Sequence, residues 1–445
     1  MSETFCILPW IHAQTKPNGQ IKPCCRFDHH HEAYKTKDGF IWDEMNINKG
    51  KSLTDAVLSD QWEDIRNKML AGEKVEGCWK CYKEEKNNYD TTRSMRVGSN
   101  TFWNKKVYNK PKHNKGELKF LELALGNYCN LQCRTCNSDL SSSWTEDENT
   151  LSDYYTDRTR RKTVTHVDSH PAKQDFQYVE EIKFTGGEPM LHPRFIEILD
   201  IILETNRSQH ITLDIFTNAS WVPKKKILDR LCKFKKVKIN LSIDGLDKTN
   251  DYIRYPSTWS TVEQSTKKWL TQDTDVFSIK WTPTINLYNV LEVTEMIDWW
   301  TDIQIAVKQK PYWESVSSMV ERYDRNYRAM NMIINLVHTP SYLSVNNLPF
   351  KKDIIQKVTA QKEKYIDQLK TFDGTGYDRF ALTQHIKSMF NKILVSLEQN
   401  CNIDDLKLFK SYTADLDILR KQNFESSLPL LKEQFADKFI GKVNV

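Results

Sequence analysis

The stretch Leu123-Ala-Leu-Gly-Asn-Tyr-Cys129-Asn-Leu-Gln-Cys133-Arg-Thr-Cys136 sets three thiols within one short loop. It follows a run, Leu118–Leu125, whose apolar and β-branched content reads as a strand. Where parallel strands alternate with helices, loops at the C-terminal strand ends form the active face. Spacing i, i+4, i+7 would also align three cysteines on one helix face as small core residues. The polar neighbours Asn127, Asn130, Gln132, Arg134 and Thr135 argue against that. Structural zinc normally takes four protein ligands, and no local fourth appears. Three soft thiolates suit an iron–sulfur cube, leaving one of its four irons open, which is a catalytic feature.

Working outward, the 445-residue chain is 39% apolar and 28% charged, enough for a packed core and against wholesale disorder. Length alone suggests roughly three domains. Its net charge of +5 is too weak a bias for a dedicated nucleic-acid binder. No basic start followed by an apolar run is readable, and no segment reaches the ~20 apolar residues that cross a bilayer. A cytoplasmic location without membrane association is therefore expected, and there ten cysteines are not disulfides. Glycine is scarce, at 14 residues, so each marks a place where few other residues serve.

Six candidate strands alternate with helices over the middle of the chain: Leu118–Leu125, Glu181–Thr185, Ile211–Thr217, Val237–Ile243, Phe277–Ile285 and Ile303–Lys308. Predicted helices lie at Phe195–Glu204, Lys224–Leu231, Val262–Leu270 and Leu291–Trp300. The expected fold class is α/β, a partial six-unit (β/α) barrel of the TIM type. The Lys/Asn-rich stretch Phe102–Gly116 reads as a linker, giving an N-terminal module at 1–112, a core at 113–312 and a helical extension at 313–445. The charged insert Glu146–Gln177 reads as a surface excursion. In the extension, helical periodicity is clearest at Lys352–Leu369 and Ala381–Leu397, and Pro429 is expected to break the tail Asp415–Phe435.

Cys-x3-Cys-x2-Cys after the first strand resembles the signature of the radical S-adenosylmethionine (radical SAM) superfamily. The second strand ends in Gly186-Gly187-Glu188-Pro189, similar to that family's GGEP motif. The resemblance implies that this backbone and carboxylate contact the methionine amino group of S-adenosylmethionine. It also implies that Thr217-Asn218 and Ser242-x-Asp244 face the adenosyl group. Ser242 or Asp244 is then placed for the ribose hydroxyls and Arg254 for the methionine carboxylate, with Asn286 a weaker candidate. Relatives often carry an aromatic residue before the last loop cysteine, where this chain has Thr135. Tyr128 does not replace it by position.

A second cysteine set comprises Cys6, Cys24, Cys25, Cys78 and Cys81. Cys78-x2-Cys81 with Cys6 and one of the adjacent pair gives four thiolates, closing either a tetrahedral zinc or a fully ligated cube. Spacing leaves both open. The arrangement resembles the twitch module, related to the SPASM extension, which implies a second, auxiliary [4Fe–4S] cluster on Cys6, Cys24, Cys78 and Cys81. Cys24 is favoured because it follows the Gly-x-x-x-Pro approach from Gly19. His29–His31 read as solvated, and Cys232 and Cys401 as ordinary buried residues.

The resemblance implies an enzyme that cleaves S-adenosylmethionine to a 5′-deoxyadenosyl radical, which takes hydrogen from a peptide or protein side chain. A small molecule such as an aminosugar or nucleotide is the alternative substrate. A flavodoxin or ferredoxin would be the electron donor. Two other classes compete, a non-catalytic iron–sulfur carrier and a zinc-dependent nucleic-acid binder, but neither needs the Gly186–Pro189 motif.

Overall fold

The computed structural model describes residues 4–86, 117–155, 171–222, 224–272, 275–307, 331–371, 376–435, 437 and 439–443. The linker expected at 102–116 and the middle of the 146–177 insert lie outside them. The chain divides into two compact units, one of residues 1–129, 164–216 and 225–238, the other of 130–163, 217–224 and 239–445. Among the described residues no helix is long and apolar enough to cross a membrane.

The first unit is built on β1 (His12–Thr15), β2 (Ile21–Lys22), β3 (Phe120–Ala124), β4 (Glu181–Thr185) and β5 (Thr212–Thr217), ordered β2-β1-β3-β4-β5. β1, β3, β4 and β5 run parallel, and β2 pairs antiparallel with β1. The N-terminal residues thus share a sheet with the first core strand. Every residue of β3 is buried, as befits a strand covered on both faces. β4 and β5 instead alternate, with Ile182, Phe184, Leu213 and Ile215 buried. Helix α3 (Pro193–Glu204) packs on Phe184 through Phe195, their rings 5.1 Å apart. α3 opens with Pro193 at its first turn and His192 as N-cap, its Nδ1 accepting from the Arg194 amide at 3.2 Å.

Register sets Gln14, Glu122, Lys183 and Asp214 in one row across four strands. Lys183 lies 3.3 Å from Glu122. Helix α1 (Leu53–Leu58), which α2 (Asp60–Ala71) follows, is tied to the same unit by buried Asp175, whose carboxylate accepts from the Leu53 and Thr54 amides and the Thr54 hydroxyl, and α4 (Lys225–Leu231) comes after β5.

The second unit holds the later residues of β6 (Lys236–Leu241) beside β7 (Phe277–Trp281). It also holds α5 (Asp247–Ile253), α6 (Trp259–Leu270), α7 (Val293–Ala306), α8 (Lys352–Gln368), α9 (Gly376–Glu398) and α10 (Ile403–Arg420). A short parallel pair joins Thr284–Ile285 to Asn335–Leu336. The described residues show a parallel-strand α/β sheet and no closed barrel.

Three expectations are corrected. The expected sixth strand, Ile303–Lys308, is instead helical over Ile303–Ala306, the end of α7, and its last residue, Lys308, lies outside the described residues. Val293, Met296, Ile297, Trp300 and Ile303 are buried at helical spacing, so the apolar run is one helix face. The tail breaks at Lys421, not Pro429. Lys421 sits in the left-handed region at φ 53° and caps α10, while Pro429 starts a later helical turn, Pro429–Lys432. The described start of the charged insert is no surface excursion, since helix Thr145–Leu151 buries Asp147, Glu148 and Leu151.

His29 is also buried, its ring 4.0 Å from that of His30, which in turn packs on Phe40 at 4.7 Å. Burial, with the positive charges of His30, Lys22 and Lys16, holds its pKa down at about 3, against a weaker pull from Asp28. A histidine that gains its proton only on unfolding makes the unfolded state bind more protons, so stability rises with pH. The expected loss runs from about 6.5 down to about 3. Chemical denaturation across that window should show it, with His29→Gln flattening the curve; an unchanged slope would contradict the assignment.

Candidate active site

In the first unit the Gly186-Gly187 turn at the end of β4 lies directly on the backbone leading into Cys129. A Cβ on Gly186, which sits at φ 107°, would fall 2.6 Å from the Gly126 carbonyl oxygen. One on Gly187 would fall 2.2 Å from the Tyr128 carbonyl oxygen. No side chain fits at either position. The Glu188 amide donates to that same Tyr128 oxygen at 2.8 Å. Glu188 is buried, and Pro189 opens a 3-10 turn behind it. The glycines therefore serve a close backbone approach, and the backbone they approach is the cysteine loop itself.

In the second unit Asn130, next after Cys129, bonds the loop that ends β5. Its side chain joins Asn218 Nδ2 at 2.9 Å and Ser220 Oγ at 2.8 Å. The Gln132 and Arg134 amides donate to the carbonyls of Tyr255 and Ile253 at 2.6 and 2.7 Å. The Ser242 amide donates to the Thr217 carbonyl at 2.8 Å.

Arg254 caps α5 and brings Nη1 to 3.8 Å from Cys133 Sγ. Its Nη2 is 2.7 Å from Asp244 Oδ2, whose side chain is fully buried. Asp244 also accepts from the Thr284 amide at 2.8 Å. The pair read as separate contacts to the cofactor is thus joined into one element. Burial pushes the Cys133 thiol up, while the guanidinium of Arg254 and, less strongly, that of Arg420 pull it back. Asn286 uses its side chain in its own turn, accepting from the Tyr288 amide and donating to the Thr284 carbonyl.

Arg134 was missed by sequence reasoning, which took it only as a polar spacer. It is fully buried, stacks on Tyr252 at 3.7 Å and reaches Asp417 at 2.5 Å and Gln422 at 2.8 Å. Removing one partner of such a buried pair costs about 3–5 kcal/mol. Trp144 was missed too; its indole N–H donates to the Cys133 carbonyl at 2.9 Å.

Around the N-terminal set, Cys6 and Cys81 are buried, Cys24 and Cys78 half-buried, and Cys25 exposed. Cys24 is pushed well up by burial and by neighbouring Cys25, Cys78 and Cys6. Lys22 is buried beside it and held down by that burial, with Cys24 pulling the other way. Cys232 is exposed, because Leu231 and Phe234 take the inward positions around it; Cys401 is half-buried. Among the described residues no group of three or more His, Cys, Asp or Glu side chains is gathered to hold a metal ion. The donor chemistry of the 129–136 loop nonetheless fits a cluster: three thiols, one facing a guanidinium, on a backbone fixed by its neighbours.

Residues 123–283 match the radical SAM superfamily. They form a radical SAM domain. The domain is that of an enzyme of this class. No curated protein matches the chain. Among solved structures, native anSMEcpe with bound AdoMet is 13% identical, with 56% of this chain and 60% of that one covered, at TM-score 0.34. SuiB of Streptococcus suis bound to S-adenosylmethionine is 16% identical, covering 68% and 69%, at 0.30. The same SuiB with its precursor peptide SuiA is 17% identical, covering 58% and 61%, at 0.31. This chain thus spans less than two thirds of the length of anSMEcpe.

In the radical SAM domain, replacing Arg254 by Met removes the charge that favours the Cys133 thiolate. The midpoint for iodoacetamide labelling of Cys133 in the metal-free chain should move to higher pH, read by peptide mass spectrometry. An unchanged profile would place Arg254 outside the thiol's field.

Proposed function

We propose that the chain is a radical SAM enzyme acting on a substrate C–H bond, with Cys129, Cys133 and Cys136 holding a [4Fe–4S] cluster. When bound, that cluster supplies the electron that cleaves S-adenosylmethionine to a 5′-deoxyadenosyl radical. One observation carries the reading: a three-thiol loop with no local fourth ligand follows the first core strand of a radical SAM domain.

The chain's own residues bind and orient. Glu188, buried at the Gly-Gly turn, offers acceptor oxygens to an ammonium. Arg254 holds positive charge at Cys133 and, through Asp244, is fixed in direction. Its fork suits a carboxylate such as that of methionine. Thr217, Asn218 and Ser242 line strand ends and are read as the adenosyl side. The row Gln14, Glu122, Lys183 and Asp214 gives the sheet a polar face, which favours a substrate with hydrogen-bonding groups.

Cys6, Cys24, Cys78 and Cys81 are read as ligands of an auxiliary cluster in a twitch-like module. Support comes from Cys24, whose thiol burial and, in turn, Cys25, Cys78 and Cys6 push well up. The substrate is read, on family resemblance alone, as a peptide or protein side chain, with a small molecule as the alternative. A flavodoxin- or ferredoxin-type protein would deliver the electron.

Anaerobic reconstitution with iron and sulfide tests this directly. The wild type should hold about eight irons and form 5′-deoxyadenosine with dithionite and S-adenosylmethionine. Replacing Cys129, Cys133 and Cys136 by Ala should abolish the nucleoside, and Cys78→Ala with Cys81→Ala should leave about four irons. Zinc in place of iron, or iron without the nucleoside, would refute the reading.

A further inference from the structure

The C-terminal helices carry no recognisable motif, yet α10 meets the cysteine loop through a continuous set of buried polar contacts. Arg134, between the second and third loop cysteines, is the centre. Its Nε donates to the Tyr252 carbonyl at 3.1 Å, and its Nη2 to Asp417 and Gln422. Asp417 is itself held by the Tyr252 hydroxyl at 2.7 Å and by the Phe424 amide at 2.6 Å. One turn further along α10, Arg420 pairs with Asp147 at 2.8 Å and stacks on Trp144 at 4.4 Å. Trp144 closes the circuit by donating to the Cys133 carbonyl. The left-handed cap at Lys421 makes this possible, because it turns Gln422 back toward Arg134.

We infer that the end of α10 is a clamp on the Cys133–Cys136 segment, with Arg134, Asp417 and Gln422 as positioning residues for the thiols. None of the three supplies a ligand. They hold the segment through the Arg134 side chain, while the Trp144 indole holds the Cys133 carbonyl and the Ile253 carbonyl holds the Arg134 amide. The role of the clamp in catalysis rests on the radical SAM reading; the clamp itself rests on contacts within one unit.

Amide hydrogen exchange of the full chain, purified anaerobically without added metal, tests the clamp without requiring turnover. Asp417→Asn removes the charge and keeps the shape. Amides of residues 131–136 should exchange about tenfold faster or more, since a buried pair is broken. Gln422→Ala, a milder change at a half-buried residue, should accelerate the same amides to a smaller extent and guards against misfolding of the first variant. Asp415→Asn is the control on the same helix. Asp415 bonds the Tyr155 hydroxyl and the amides of Lys442 and Val443, away from the loop. Loop exchange unchanged in Asp417→Asn and Gln422→Ala would overturn the clamp. So would equal acceleration by Asp415→Asn, because that would be general loosening. Selective acceleration in a chain whose wild type makes no 5′-deoxyadenosine would leave the clamp standing and sink the functional reading instead.

Discussion

The close approach of two backbones constrains the rest of the first unit. Gly186 and Gly187 stand where any side chain would collide with the carbonyls of Gly126 and Tyr128. That contact fixes the lead-in to Cys129 against the end of β4, with the Glu188 amide bonded across it. Parallel pairing of β3 with β4, in register from Phe120–Glu181 to Ala124–Thr185, brings the two strand ends level so that it can form. A chain with few glycines has placed two of them together here, and the steric requirement explains why.

Charge organises the second unit. Arg254, Arg134 and Arg420 are all buried, and each has an aspartate: Asp244, Asp417 and Asp147. Isolated buried charge is costly, so each pair must be well made. Of the three, Arg254 and, less strongly, Arg420 pull the Cys133 thiol down against the burial that raises it. Burial and the nearby Arg134 both work against the charge on Arg420. Stacking on Trp144 and pairing with Asp147 offset that.

Much of the core was legible in the sequence. Strands at Glu181–Thr185 and Thr212–Thr217, and helices at Pro193–Glu204 and Lys352–Gln368, follow from local periodicity, which is strong there. The run starting at Ile303 was misread because a short apolar run has no period of its own; only the continuity of Ile303–Ala306 with Val293–Trp300 makes it helical. The Gly-Gly-Glu-Pro turn was legible as a motif, but its physical partner was not, since the touching residues lie about sixty positions apart in sequence. Arg134 was illegible for the same reason. Its partners Tyr252, Asp417 and Gln422 come from distant segments, and nothing local distinguishes a buried arginine from a solvated one. His29 shows the converse, a polar loop residue that tertiary packing dries out.

The proposed chemistry requires an open iron at the 129–136 loop that S-adenosylmethionine can reach. Pulsed electron–nuclear double resonance on the reduced, reconstituted chain reads this contact, using S-adenosylmethionine labelled with nitrogen-15 in its amino group. A nitrogen-15 coupling to the cluster is expected in the wild type and absent when Cys133 is replaced by Ala. A reduced cluster signal that stays unchanged when the labelled compound is added would contradict it.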